Sequence, residues 1–99
     1  MTGSPAGRGT LTALVITADE ERNIRDCLST LSFADEIVVV DSGSADKTAR
    51  IAAEEFGARV FVNPWPGYGA QKNFGMDRAT GDWILVVDAD ERVTPELRM

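Results

Sequence analysis

Glu36-Ile37-Val38-Val39-Val40-Asp41-Ser42-Gly43-Ser44 is the stretch that decides the fold. Its continuous apolar, β-branched run has no polar alternation, which is the mark of a strand covered on both faces. It ends abruptly in an aspartate, a glycine and two serines, residues that make turns and helix N-caps. A second helix is predicted to start near Ala45, with Ser44 capping it and Asp46 complementing its dipole. That helix turns Ala49, Ala52, Ala53 and Phe56 inward and stops at Gly57, a left-handed cap.

Working outward, the same strand-then-polar-then-helix order repeats. Leu11 to Thr17 is apolar and β-branched and runs into Ala18-Asp19-Glu20-Glu21, after which Ile24, Cys27, Leu28 and Leu31 recur at helical spacing. Ala58 to Val62 reads as a third strand, and Asn63 to Gly69, with two prolines and two glycines, reads as a loop. A third helix from about Ala70 to Ala79, closed by Gly81, leads to a fourth strand, Trp83 to Val87, which ends in Asp88-Ala89-Asp90. Thr94-Pro95-Glu96 has the pattern of one more helix beginning. Strands alternating with helices at short intervals specify an α/β fold with a parallel sheet. Met1 to Thr10, rich in Gly, Ser, Pro and Thr and without an apolar central run, is expected to be a flexible lead-in rather than a signal peptide.

Composition narrows the partners. A chain of 99 residues is at most one domain, and 43% hydrophobic content suits a packed core. The net charge of −6 lacks the basic field of a nucleic-acid binder, so neither DNA nor RNA is expected. An acidic protein that binds a polyphosphate needs a local device, such as a divalent cation or a helix N-terminus. No histidine is present, so a Ser-His-Asp or Cys-His centre cannot be assembled within this sequence. The single cysteine, Cys27, falls on an apolar helix face and fits a reducing compartment. Apolar runs are strand-length, far short of the roughly 20 residues that cross a bilayer.

In open parallel sheets ligands bind beyond the carboxyl ends of the strands. Here those ends carry Asp19 and Glu20, then Asp41, then Asp88 and Asp90, so carboxylates from three strands are expected on one rim. Asp88 and Asp90 offer hard oxygen ligands to Mg²⁺ or Mn²⁺, shared with phosphate oxygens. Asp41, with no expected role in capping, is a candidate acceptor for a nucleobase donor. Gly67-Tyr68-Gly69-Ala70-Gln71-Lys72 joins a glycine loop to a helix start, with Lys72 as a point charge, while Trp65 and Tyr68 offer rings for stacking or for anchoring the loop. It is neither a P-loop nor a dinucleotide fingerprint.

In order along the chain, Thr17-Ala18-Asp19-Glu20-Glu21 with Asn23-Ile24, Val40-Asp41-Ser42-Gly43-Ser44 with Asp46 and Thr48, Gly69-Ala70-Gln71-Lys72-Asn73, and Gly81-Asp82-Trp83 leading to Asp88-Ala89-Asp90-Glu91 resemble the N-terminal half of family 2 glycosyltransferases of the GT-A fold. Within it, Trp65 to Asn73 and Asp88 to Arg92 look most like lipopolysaccharide-core β-1,4-glucosyltransferases of bacteria. The resemblance covers about Leu11 to Met99 and implies a Rossmann-like nucleotide-binding half with a mainly parallel four-stranded sheet flanked by helices. It implies inverting, metal-dependent transfer of a sugar, with glucose favoured, from a UDP-sugar to a glycan or lipid-linked acceptor. Asp41 would hold the uracil, Glu20 and the backbone near Thr17 would meet the nucleoside, Lys72 would lie near the nucleotide, Asp88 would contact the ribose side, and Asp90 would ligate Mg²⁺ or Mn²⁺. The position the family usually fills with Asn is Asp19 here. The catalytic base and the acceptor site are implied beyond Met99, which leaves donor binding to this stretch. A cytoplasmic protein, with the intact chain at the inner face of the membrane, is the implied location. The rival from another class is a non-catalytic α/β metal-binding regulatory or interaction module; a receiver of that kind has no place for the Trp65 to Lys72 loop.

Overall fold

The computed structural model describes residues 9–89. Asp90, the Met1 to Arg8 part of the lead-in and the helix start at Thr94 therefore lie outside the described residues. Along the chain run β1 (Leu11–Thr17), α1 (Glu21–Ser29), β2 (Glu36–Asp41), α2 (Thr48–Phe56), β3 (Arg59–Val62), α3 (Tyr68–Arg78) and β4 (Trp83–Asp88). The strands form one wholly parallel sheet in the order β3-β2-β1-β4. The α/β expectation holds.

The sheet is covered on both faces, as the unbroken apolar runs require. One face, with Ala13, Val15, Val39 and Val87, packs against Ile24, Cys27, Leu28 and Leu31 around α1 and Ile51 and Ala52 of α2. The other, with Leu14, Val38 and Val40, packs against Phe61 of β3 and Phe74 of α3. Gly75 lets α3 lie close on the sheet: a Cβ there would collide with Leu14 and Val40. After β3 the chain crosses to this second face and returns beside β1 on the opposite side from β2. That reversal is a topological switch point, and a crevice opens there at the strands' carboxyl ends.

Several boundaries differ from the sequence reading. α2 starts at Thr48, not near Ala45, because residues 42–47 are held in a loop by side-chain bonds from the neighbouring βα turn. Ile51 and Ala52 are buried while Ala53 is exposed, because the side of α2 that packs against α1 and the sheet is turned by about one residue from the expected face. α3 begins at Tyr68, two residues early, with Gly67 (φ 112°, ψ 155°) as its N-cap. Gly57 caps α2 in the left-handed conformation as expected (φ 66°). Gly81 does not close α3, which ends at an extended Ala79; it instead passes against β1, its N–H donating to Thr12 Oγ1 at 2.9 Å. Thr10 is tied down rather than loose: its N–H donates to Asp82 Oδ2 at 2.9 Å and its carbonyl accepts from Trp83 N.

Candidate functional site

Parallel register brings the strand ends level. Thr17 stands opposite Asp41, and Ile16 opposite Asp88. Between the ends of β1 and β4 lies a cleft of about 320 Å³ lined by Ile16, Thr17, Ala18, Glu20, Trp65, Tyr68, Asp88 and Ala89. Of the residues singled out in the sequence, Thr17, Glu20 and Asp88 meet here, with Trp65 and Tyr68 forming the facing wall. A larger hollow of about 530 Å³, lined by Asp35, Glu36, Phe56, Arg59 and Thr80 among others, lies at the sheet's opposite end. Its charged groups are consumed by packing. Glu36 accepts from Thr12 Oγ1 (2.7 Å), Thr80 N (2.9 Å) and Arg59 (2.5 Å), and Asp35 accepts from Leu11 N (2.7 Å).

Asp41 is not at the rim. It is 1% exposed, and its carboxylate accepts from Thr17 Oγ1 (2.7 Å), Ser44 Oγ (2.5 Å), Ser44 N (2.6 Å) and Gly43 N (3.0 Å). Two bonds on each oxygen fill the acceptor positions of a carboxylate. Burial by itself raises this carboxyl's pKa; the bonds from Ser44, Thr17 and Gly43 outweigh it and hold the group below its ordinary range. Asp41, expected to have no role in capping, in fact accepts from Gly43 N and Ser44 N and clamps the end of β1 to the loop after β2.

The first two βα turns cap each other. Asp19 N donates to Ser44 Oγ (2.8 Å), Glu20 N to Thr48 Oγ1 (2.9 Å) and Glu21 N to Asp46 Oδ2 (3.1 Å). In return Ala45 N donates to Asp19 Oδ1 (2.8 Å) and Lys47 N to Glu21 Oε1 (3.1 Å). Ser44 thus serves the start of α1, while Asp46 serves both helices, since its Oδ1 also accepts from Thr48 N at the first residue of α2 (3.0 Å), although the N-cap position of α2 is Lys47. Asp19 sits at φ 51°, a conformation that Asp and Asn tolerate better than other side-chain-bearing residues. The Asp19-for-Asn departure preserves both that backbone and the Oδ1 acceptor, and Asp19 does not line the cleft.

Lys72 stands one layer behind the cleft, its ammonium 5.6 Å from the centre of the Tyr68 ring. Tyr68 Oη lies 3.3 Å from Asp88 Oδ1, and the Trp65 and Tyr68 rings are 6.5 Å apart at a 52° tilt. Sequence reasoning missed Gln71. It is fully buried, its Nε2 donating to Asn63 O (2.9 Å) and its Oε1 accepting from Asn63 Nδ2 (2.8 Å), which pins the base of the aromatic loop to α3. Its signals were its place in the Gly69-Ala70-Gln71-Lys72-Asn73 motif and its position four before Gly75 on the buried face. Among the described residues no group of three or more His, Cys, Asp or Glu gathers to hold a metal, and no helix is long and apolar enough to cross a membrane. The metal ligand expected at Asp90 lies outside the described residues.

The family model described as Glycosyl transferase family 2 matches residues 12–98. This chain belongs to that family. Among its relatives, an uncharacterised glycosyltransferase of Rickettsia bellii is 45% identical over 89 residues, which are 89% of this chain and 30% of that protein. The lipopolysaccharide core biosynthesis glycosyltransferase LpsC of Rhizobium meliloti is 38% identical over 92 residues, covering 89% of this chain and 34% of that one. The chain thus spans about a third of the length of these curated relatives. Two solved family-like structures share the fold. S. aureus TarS 1-349 in complex with UDP-GlcNAc superposes with a TM-score of 0.71 at 28% identity, over 88% of this chain and 28% of that one. Glucosyl-3-phosphoglycerate synthase of Mycobacterium tuberculosis, in complex with Mn²⁺, UDP and glucosyl-3-phosphoglycerate, gives 0.71 at 27% identity, over 86% and 36%. The family 2 sheet is the Rossmann-like GT-A half expected from the sequence, and membership sets aside the receiver-like alternative.

Proposed function

We infer that this chain is the donor-binding half of an enzyme that transfers a sugar from a UDP-sugar. The observation that carries the reading is the cleft at the β1/β4 switch point, where Thr17, Glu20, Tyr68 and Asp88 converge in a family 2 chain. The UDP-GlcNAc and UDP complexes of TarS and of the mycobacterial synthase support the donor class. Glu20 and the backbone near Thr17 face the nucleoside and Asp88 the ribose and diphosphate side. Asp41 acts from beneath, holding Thr17 and the Ser42–Ser44 loop, in place of the direct uracil contact implied by the resemblance. Lys72 adds positive charge behind the Tyr68 wall.

The donor set fits a hard divalent cation. Asp88 presents an exposed carboxylate at the cleft, and carboxylate and phosphate oxygens are the ligands that Mg²⁺ and Mn²⁺ take. Asp88 and Asp90 would hold the ion, which when bound offsets charge on the departing diphosphate. Relatedness to LpsC supports a glycan or lipid-linked acceptor, and glucose is the sugar we favour from the core-transferase resemblance. We place the intact protein on the cytoplasmic side of the membrane.

Calorimetric titration of the chain with UDP in Mn²⁺ tests the donor site. Saturable binding is expected, weakened by Asp88→Ala by about 10- to 100-fold, the loss of one charge-assisted contact of about 1.5–3 kcal/mol. A folded sample that takes up no UDP would refute the reading.

A further inference from the structure

Tyr68 is 46% exposed, yet it touches each functional element on its side of the cleft. It opens α3, and Lys72 lies one turn later on the same helix face, which brings the ammonium over the ring. Its hydroxyl reaches toward Asp88 on β4, and its ring lies tilted 6.5 Å from that of Trp65. The element beneath is rigid: Gln71 is locked to Asn63, and Gly75 seats α3 directly on Leu14 and Val40. The last bond of an exposed carboxylate has a broad torsion, so a nearby hydroxyl donor biases its direction. Tyr68 Oη, carried on a fixed helix, lies 3.3 Å from one oxygen of Asp88.

We propose that Tyr68 is a positioning residue for donor binding: its hydroxyl donates to Asp88 and sets the direction of that carboxylate, while its ring holds the Lys72 ammonium beside the cleft. One side chain thereby links the carboxylate at the cleft to the positive charge behind its wall. This rests on the cleft being the donor site.

Tyr68→Phe removes the hydroxyl and keeps the ring, so it separates the two roles; Tyr68→Leu removes both. UDP is titrated calorimetrically at saturating Mn²⁺, Mn²⁺ is then titrated at fixed UDP, and urea unfolding is followed in parallel. For Tyr68→Phe the expected result is an unchanged unfolding midpoint, UDP affinity lower by about three- to tenfold, as for one lost hydrogen bond, and a half-saturating Mn²⁺ concentration raised in step. Tyr68→Leu should lose more, and Lys72→Gln should weaken UDP binding further in the Phe background than in the Leu background. Wild-type UDP and Mn²⁺ titration curves reproduced by Tyr68→Phe would overturn the proposal while leaving the donor site standing. Absence of UDP binding by the folded wild-type chain would overturn both.

Discussion

Replacing Asp41 with Asn tests the clamp on which the cleft is built. The carboxylate is buried and accepts four hydrogen bonds, two from hydroxyls and two from backbone N–H groups. An amide keeps the volume and removes the charge. It can turn its oxygen toward Gly43 N and Ser44 N and its NH₂ toward the Thr17 and Ser44 hydroxyls, which can reverse their donor sense. Each bond then survives in weakened form, falling from the charge-assisted range of about 1.5–3 kcal/mol to the neutral range of about 0.5–1.5 kcal/mol. A loss of about 1 kcal/mol at each of four bonds amounts to about 4 kcal/mol, against a total stability of about 5–15 kcal/mol for a chain this size. Urea unfolding followed by circular dichroism at pH 7 should show the midpoint lowered by about 2 M, for a slope of about 2 kcal/mol per M. The sign with pH follows from the depressed carboxyl: its contribution is present above the ordinary value of 3.8 and is lost as pH falls through the lower folded-state value. Wild-type and Asp41→Asn stabilities should therefore converge in acid. A loss under about 1 kcal/mol at neutral pH, or a gap that stays constant as pH falls, would refute the clamp.

Glu36 at the far end of the sheet obeys the same rule. Partial burial opposes its ionisation, but hydrogen bonds from Thr80, Thr12 and Arg59 bring its pKa from 4.5 to about 2. Wild-type stability should fall as pH drops from 4.5 toward 2, and Glu36→Gln should flatten that part of the profile in acid-titrated thermal melts. Gly75→Ala forces a Cβ into Leu14 and Val40, so unfolding in urea should show a loss of about 1–3 kcal/mol from overpacking, although alanine is the better helix former. A neutral or stabilising Gly75→Ala would mean that α3 does not sit this close to the sheet.

Much of the fold was legible because its signals are local. The unbroken runs Leu11–Thr17 and Glu36–Val40 call for strands covered on both faces, and Gly57 supplies a left-handed cap that most residues resist. Alternation of such runs with amphipathic segments leaves a parallel sheet as the packing solution. It also places the ligand end at the strand carboxyl termini, so Glu20 and Asp88 were identifiable there from the pattern alone, whereas Thr17 came only from the family resemblance.

Long-range pairing decided the rest. Asp41 turns inward because parallel register sets it opposite Thr17, whose hydroxyl lies 24 residues away in the chain. The late start of α2 comes from Asp46 and Ser44 satisfying N–H groups before and at the start of α1, more than one element upstream. Lys72 sits behind Tyr68, not in the cleft, because α3 begins earlier than its glycines suggested and turns that face toward the ring. The sequence by itself determined which residues stand at the ends of the strands, since periodicity and turn chemistry are properties of neighbours along the chain. Which of those carboxylates lies open at the cleft and which is consumed in holding the loops was decided only by tertiary structure, because a buried carboxylate is stable only where donors from distant segments converge on it.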